Sequence, residues 1–270
     1  MSNLLKILYN SGDWQKHTAD AIAVGIYKDL KLSRQLQGVN RILGRGLSNA
    51  LSGNIIKGDI GEVKIVVGKK GLIAILSGYY PPPVKRIMRM PNKTRSLPML
   101  PQKMIDLGYK TSFYYGGDLN FGNMNTYLRN AGITNFVDGS EFDKKDWNSK
   151  WGAHDHVLMN RLSKDLEGEQ QIPFFKIALT LSSHEPYQFP DEYKFGKDNE
   201  DNKFRSSHVY TDKTIGKFIE SAKKQPWYKN TLIIIMADHG HSSPKHAGPF
   251  NASIRYKIPM LWLGGAVNKL

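Results

Sequence analysis

The chain has 270 residues, of which 40% are hydrophobic and 23% are charged. This length and composition suit one large or two smaller domains with a substantial buried core, and they exclude a peptide-sized scaffold. The absence of cysteine excludes a disulfide framework, a thiolate metal site and a cysteine nucleophile. No apolar run approaches the roughly 20 residues of a membrane helix, and the N-terminus has no charged-then-apolar signal pattern.

The net charge of +14 is concentrated in the first part of the chain. Residues 1–100 carry 16 Lys and Arg against 5 Asp and Glu, which accounts for +11 of the total. These cations are scattered singly, as at Lys28, Lys31 and Arg34, and few aromatic side chains lie between them to stack on bases. We therefore expect no nucleic-acid partner.

From about residue 60 onward, short apolar runs alternate with segments of helical period. This pattern predicts an α/β fold with a largely parallel central sheet flanked by helices. The predicted strands are Glu62–Val67, Lys110–Tyr115, Phe174–Ser182, Thr231–Ala237 and Ile258–Leu263. The predicted helices are Leu97–Leu107, Asn123–Ala131, Val157–Leu166 and Ser206–Lys223. The polar stretch Gly196–Lys203 is predicted to be a connector, because it has nothing to bury.

Polar residues follow three of these strands at their C-terminal ends, where open α/β sheets bind ligands. After the strand that ends at Tyr115, Gly116 and Gly117 permit close backbone approach to a ligand, and Asp118 and Asn120 could hold hydroxyl groups. The alternative is a strand-to-helix turn in which Asp118 or Asn120 is the N-cap.

The next strand is followed by His184, which could donate a hydrogen bond to an anionic ligand or take part in proton transfer. A surface imidazole with no such role is the alternative. Between these two sites, His154 and His156 could share one side of a strand, but the helix predicted to begin there would separate them. We therefore do not predict a dedicated zinc site at these two histidines.

The strongest local signal is Asp238-His239, which follows the apolar run Leu232–Ala237 and precedes Gly240. Asp supplies a hard oxygen and His an imidazole nitrogen, a combination suited to Mn²⁺ or Zn²⁺. In the alternative interpretation Asp238 caps the next turn and His239 is solvated. Because three polar sites follow strands of one α/β chain, we expect a shared pocket.

Six segments, taken together, match a known family in order from about Gly71 to Ala266. They are Leu72–Tyr79, Phe113–Asp118, Lys150–His156, Leu181–Pro186, Ala237–His241 and Ile258–Gly265. They resemble the sulfatase-type extracellular domain of the lipoteichoic acid synthase family, within the alkaline phosphatase superfamily.

The resemblance implies an alkaline-phosphatase-like fold and a metal-dependent transferase or hydrolase of phosphate or sulfate esters. Such enzymes use a Thr or Ser nucleophile and usually Mn²⁺ or Mg²⁺. Asp238 and His239 match the family's metal-binding Asp-His pair, His184 matches its substrate-binding His, and Asp118 matches a polar position near the substrate head group. The metal would neutralise charge on the transferred group.

The resemblance also implies a location and a partner. The parent protein would be anchored in the membrane and would act at its extracytoplasmic face, in the cell envelope. Its substrate would be an anionic lipid or a polyol-phosphate head group, and the group transferred would be similar to phosphoglycerol.

Two positions depart from the family pattern. The nucleophile position aligns with Gly68, which has no nucleophilic oxygen, and the position of the family's first metal-binding Glu aligns best with Asn10. We therefore expect the chain as written to be inactive, with weak or absent metal binding, which leaves open whether it is an enzyme. The alternatives are a sulfatase or phosphodiesterase that uses water as acceptor, and a noncatalytic binding pseudoenzyme.

The predicted domain division lies where the resemblance to the family begins, near Gly71. Residues 1–70 match the family poorly and are expected to be a non-native segment, as a frameshift in the source gene that recovers near Gly71 would produce. A genuine noncatalytic relative is the alternative. Residues 71–270 are predicted to form a sulfatase-like α/β domain that is incomplete at its C-terminus, so the fold is expected to be truncated at both ends.

Overall fold

The computed structural model describes residues 65–67, 71–78, 87–147, 149–168, 172–241 and 257–267. The chain divides into a first unit, Met1–Leu100 with Tyr228–Leu270, and a second unit, Pro101–Trp227. Asn10 and Gly68 lie outside the described residues, so the predicted division at residue 70 stays a prediction.

The strands in chain order are β1 (Ile65–Val67), β2 (Lys110–Tyr115), β3 (Asn135–Val137), β4 (Phe174–Leu179), β5 (Ile233–Met236) and β6 (Lys257–Leu263). The α-helices are α1 (Gly71–Ser77), α2 (Pro91–Thr94), α3 (Leu100–Asp106), α4 (Met124–Asn130), α5 (Asp155–Asp165) and α6 (Glu200–Ala222). All five predicted strands are present within a few residues of their predicted ends, and β3 is an additional short strand. None of the helices in these described ranges is long and apolar enough to cross a bilayer.

The second unit contains a parallel sheet in the order β3-β2-β4. Phe113 in the central strand lies opposite Phe136 on one side and Ile177 on the other. Five of the six residues of β2 are buried, as expected for a central strand covered on both faces. The predicted α/β fold with a parallel sheet flanked by helices is confirmed here.

The first unit contains an antiparallel arrangement in the order β1-β6-β5. Ile233 lies opposite Leu263 and Met236 opposite Met260. The apolar runs predicted these strands correctly but not their direction. An apolar run indicates that a strand is buried, whereas the path of the connecting chain determines which way the strand runs.

Helix α6 begins six residues before its predicted start, so the prediction of a connector over Gly196–Lys203 is wrong from residue 200 onward. The side chain of Asn199 accepts the backbone N–H of Asn202 at 2.8 Å and caps the helix. Glu200 and Asp201 lie in the first turn, where carboxylates interact favourably with the helix dipole. Capping and charge thus extend the helix through a segment that contributes little apolar burial.

A buried carboxylate joins three elements of the second unit. Asp155, the first residue of α5, is fully buried. Its Oδ1 accepts the backbone N–H groups of Leu181 and Ser182 at 2.8 and 2.9 Å, and its Oδ2 accepts the hydroxyl of Thr211 in α6 at 2.7 Å. The two N–H groups belong to the loop that leaves β4. The predicted strand Phe174–Ser182 therefore ends at Leu179, since Leu181 and Ser182 bond to a side chain instead of a neighbouring strand.

We expect Asp155→Ala to lower the free energy of unfolding by about 3 kcal/mol or more, because each buried N–H group left without an acceptor costs about 1–3 kcal/mol. Urea unfolding of the 270-residue chain at neutral pH measures this loss. The control is Asp143→Ala, whose side chain is 73% exposed and pairs with Lys145. It should change stability by less than about 0.5 kcal/mol. Equal stability of the two variants would contradict the role of Asp155.

Candidate active site

Asp238 and His239 follow β5 in the first unit. Both side chains are about half exposed, and Oδ2 of Asp238 lies 3.6 Å from Nε2 of His239. The other ring nitrogen of His239, Nδ1, lies 2.9 Å from the carbonyl oxygen of Gly240. Because a carbonyl oxygen only accepts hydrogen bonds, this contact assigns a proton to Nδ1 and leaves a lone pair on Nε2 of the neutral ring.

This geometry brings two acceptors together, a carboxylate oxygen and an unprotonated imidazole nitrogen. Ligand atoms lie about 2.0–2.2 Å from a divalent ion, so two ligands of one ion are roughly 3 to 3.6 Å apart. The Asp238–His239 pair therefore fits two ligand positions around one metal ion. The hydrogen bond from Nδ1 to the carbonyl of Gly240 fixes the orientation of the imidazole ring. Among the residues that the structure describes, no group of three His, Asp or Glu side chains is arranged to hold a metal.

Asp118 follows β2 in the second unit and is exposed. Its Oδ1 accepts the backbone N–H of Asn120 at 2.8 Å, and its carbonyl accepts the N–H of Phe121 at 3.1 Å. Asp118 thus organises the turn after the strand, the alternative role that its sequence position allowed. Its predicted contact with a head group stays a prediction.

Gly116 and Gly117 make a close backbone approach, but to the protein itself. The N–H of Ala153 donates to the carbonyl of Gly116 at 2.9 Å, and a Cβ atom at residue 116 would clash with the carbonyl of Ala153. A Cβ atom at residue 117 would lie 2.7 Å from the carbonyl oxygen of Trp151. The paired glycines therefore admit the chain that precedes α5, and the interpretation of a ligand-binding glycine turn is corrected.

His184 is exposed in the loop after β4. Its Nδ1 lies 3.0 Å from the carbonyl oxygen of Glu185, and its ring packs edge to face on Trp151 with centroids 4.8 Å apart. Trp151 in turn contacts the exposed ring of Phe121 at 5.5 Å. Since β2 and β4 are parallel neighbours, this row of rings lies at the edge where both strands end. That edge, which we call the carboxyl edge, also carries Asp118.

Trp151 and Phe121 are residues that the sequence did not single out as part of the site. Trp151 lies in a loop and Phe121 begins the short 3₁₀ helix Phe121–Asn123, and in such short segments hydrophobic periodicity carries no signal. The run of Trp, Gly, His and Asp before α5 indicated that the segment is unusual, but not which of its side chains contacts His184.

His154 and His156 lie on either side of the first residue of α5. His154 is buried, and its Nδ1 has no hydrogen-bond partner within the part of the chain that the structure describes. Nδ1 of His156 lies 2.7 Å from the hydroxyl of Tyr210, whose pKa is raised to about 12, chiefly by burial. The two imidazole rings are stacked with centroids 6.3 Å apart.

The four predicted binding residues fall in two units, Asp238 and His239 in the first and His184 and Asp118 in the second. The pocket that they are expected to share stays a prediction. Ser77 and Thr94 are the candidate nucleophiles if the alignment of Gly68 is wrong. Their hydroxyl groups are buried and donate to the helix carbonyls of Ile73 and Pro91.

Comparison with known proteins identifies the class to which the chain belongs. The chain belongs to the sulfatase family, whose model matches residues 66–268. A crystal structure from Vibrio parahaemolyticus, of a protein in the alkaline phosphatase superfamily, has a TM-score of 0.63 and 27% identity to this chain. The match covers 74% of this chain and 50% of that one.

The chain is also similar to a lipoteichoic acid synthase and to a phosphoglycerol transferase. It is 30% identical to lipoteichoic acid synthase 2 of Bacillus subtilis (strain 168) over 164 residues, which are 57% of this chain and 25% of that protein. It is 25% identical to phosphoglycerol transferase I of Salmonella choleraesuis (strain SC-B67) over 142 residues, which are 49% of this chain and 19% of that protein. The chain thus spans a quarter or less of these relatives, and the predicted resemblance is confirmed.

The glycine contacts at the carboxyl edge lead to a prediction with a matched control. We expect Gly116→Ala to destabilise the chain by about 1–3 kcal/mol, because the added methyl group overlaps the carbonyl of Ala153. A Cβ atom added at Gly216 in α6 would have no neighbour within 4 Å, so Gly216→Ala should instead stabilise the chain by about 0.5–1 kcal/mol. Urea unfolding of both variants at one pH measures the difference. Equal effects would show that residue 116 has room for a side chain.

The burial of His154 leads to a prediction about pH. Desolvation lowers the pKa of His154 below its usual 6.5, with a further lowering from His156 and an opposing effect from Asp155. The native state therefore binds fewer protons than the unfolded state, so stability is lost as the pH falls below about 6.5. Between pH 7.5 and 5.5, the free energy of unfolding of His154→Leu should fall by up to about 1.4 kcal/mol less than that of the wild type.

Urea unfolding at the two pH values tests this expectation. The exposed His208 provides the control, and His208→Gln should follow the wild type. If His154→Leu retains the full pH dependence, then His154 is not the group responsible for it.

Proposed function

We propose that the chain is the sulfatase-fold part of an extracytoplasmic phosphoglycerol-type transferase, which acts on an anionic lipid or polyol-phosphate head group. The observation that carries the proposal is the Asp238–His239 pair after β5, with its acceptor atoms 3.6 Å apart, in a chain of the sulfatase family. The names of the two similar enzymes, a lipoteichoic acid synthase and a phosphoglycerol transferase, favour this substrate class.

The head group would be recognised at the carboxyl edge of the second unit. His184 is exposed there beside two aromatic rings, and Asp118 follows the neighbouring strand. Aromatic faces and edges pack well on the C–H groups of a polyol, while imidazole and carboxylate groups bond its hydroxyls. These residue types suit a polar head group with carbon-bound hydroxyls.

Asp238 and His239 would hold the metal, and Mn²⁺ suits a mixed oxygen and nitrogen pair better than Mg²⁺ does. When bound, the ion would stabilise the negative charge on the transferred phosphoryl oxygens and on the attacking oxygen. Two ligands bind an ion weakly, so this pair needs the carboxylate and hydroxyl that the family pattern places before residue 71.

In the inferred alignment those two groups are missing, because Asn10 and Gly68 occupy their positions. We propose that the chain as written is inactive for this reason. The family match begins at residue 66, which favours the interpretation that most of residues 1–70 are not the family's own sequence. A noncatalytic binding protein is the second candidate, which the retained residues His184 and Asp118 favour.

The proposal predicts that the chain does not hydrolyse a chromogenic phosphodiester, with or without Mn²⁺. Loss of a covalent nucleophile costs on the order of 10⁶ in turnover in a serine protease. Calorimetry with Mn²⁺ alone should show no tight stoichiometric binding, and Gly68→Thr by itself should not restore activity because the carboxylate ligand is still absent.

The positive control replaces residues 1–70 with the corresponding segment of an active relative. This chimera should recover Mn²⁺-dependent turnover, and Asp238→Ala within it should abolish that turnover. Metal-dependent hydrolysis by the unaltered chain that is lost in Asp238→Ala would overturn the assignment of Gly68. A chimera that binds glycerol phosphate without turnover would favour the noncatalytic candidate.

A further inference from the structure

One carbonyl oxygen in the loop after β4 accepts two side-chain donors. The indole N–H of Trp151 donates to the carbonyl of Glu185 at 2.5 Å, and Nδ1 of His184 lies 3.0 Å from the same oxygen. A carbonyl oxygen has two lone pairs and no proton, so it can accept both bonds. Both the indole nitrogen and Nδ1 must then carry hydrogen.

We propose that Trp151 is a positioning residue that holds His184 in the tautomer with the proton on Nδ1. The indole fixes the carbonyl that binds Nδ1, and its ring packs against the imidazole with centroids 4.8 Å apart. The hydrogen bond made by one ring nitrogen decides which tautomer the ring adopts. Nε2 of the neutral His184 is therefore a hydrogen-bond acceptor.

The backbone around Trp151 is itself fixed on both sides. The N–H of Lys150 donates to the side-chain oxygen of Gln188 at 3.1 Å, which joins the segment before α5 to the far end of the His184 loop. At the near end, the Asp155 carboxylate accepts the N–H groups of Leu181 and Ser182. Trp151 therefore donates from a segment that is bonded to the loop before and after the histidine.

This tautomer has a consequence that rests on the proposed function. A neutral His184 with a lone pair on Nε2 would accept a hydrogen bond from a hydroxyl group of the polyol and would not donate to a phosphate oxygen. Trp151 would then favour head groups that carry a free hydroxyl. Glycerol phosphate has carbon-bound hydroxyl groups that methyl phosphate lacks. Comparing the binding of these two ligands therefore distinguishes recognition of a hydroxyl group from recognition of a phosphate oxygen.

The test is nitrogen NMR of the ¹⁵N-histidine-labelled full chain, with the His184 signals assigned by their loss in His184→Gln. In the wild type we expect a protonated Nδ1 and an unprotonated Nε2. Trp151→Phe retains a ring but removes the donor, so the ratio of the two tautomers should fall about fivefold, the factor that corresponds to one hydrogen bond. A wild-type His184 with its proton on Nε2 would overturn the proposal even if the variant does not fold.

Trp147→Phe is the matched control, because its indole N–H also donates to a backbone carbonyl, that of Gly139 at 2.7 Å. It should leave the His184 tautomer ratio unchanged, and equal ratios in both tryptophan variants would contradict the role of Trp151. In a second arm, glycerol phosphate should bind the wild type more tightly than it binds Trp151→Phe. It should also bind the wild type more tightly than methyl phosphate does. Absence of binding to the wild type would count against the proposed function, while the tautomer ratio would still decide whether Trp151 controls His184.

Discussion

The carboxylate of Asp155 is the interaction on which the candidate site of the second unit depends. Strand β4 stops at Leu179, and two residues later the chain has buried N–H groups that no neighbouring strand accepts. A carboxylate accepts at both oxygens without donating, so one side chain satisfies the N–H groups of Leu181 and Ser182 as well as the hydroxyl of Thr211. This allows the chain to leave the sheet in a defined direction and to present His184 at the carboxyl edge.

The strands of this protein could be predicted well because burial produces a simple pattern. Runs such as Lys110–Tyr115 combine β-branched and aromatic residues over a length typical of strands, and the structure follows them closely. The start of α6 could not be read from apolar periodicity, because Asn199 and Glu200 act through capping and charge. Local hydrogen bonding determined that boundary, and the polar composition pointed to the wrong conclusion.

The candidate site was predictable in its residue types but not in its contacts. An Asp-His pair after an apolar strand indicates a ligand site, and the structure places both side chains together after β5. The glycine pair after β2 looked equally suited to a ligand, yet the chain before α5 occupies that space. The Asp-His pair and the glycine pair differ in which distant segment of the chain approaches the turn. The residues of the turn do not determine that segment, so it cannot be predicted from the local sequence. Trp151 was missed for the same reason.

The contacts of the carboxyl edge also bear on how binding and catalysis relate in this chain. Every contact described for His184, Trp151 and Asp155 is made within Pro101–Trp227. The two positions that are predicted to depart from the family pattern, Asn10 and Gly68, belong to the other unit. Under the proposed function, recognition of a head group would use residues of the second unit, whereas its transfer would need the metal ligands Asp238 and His239 of the first. A sequence that departs from its family at Asn10 and Gly68 would then lose transfer and keep the residues proposed for recognition.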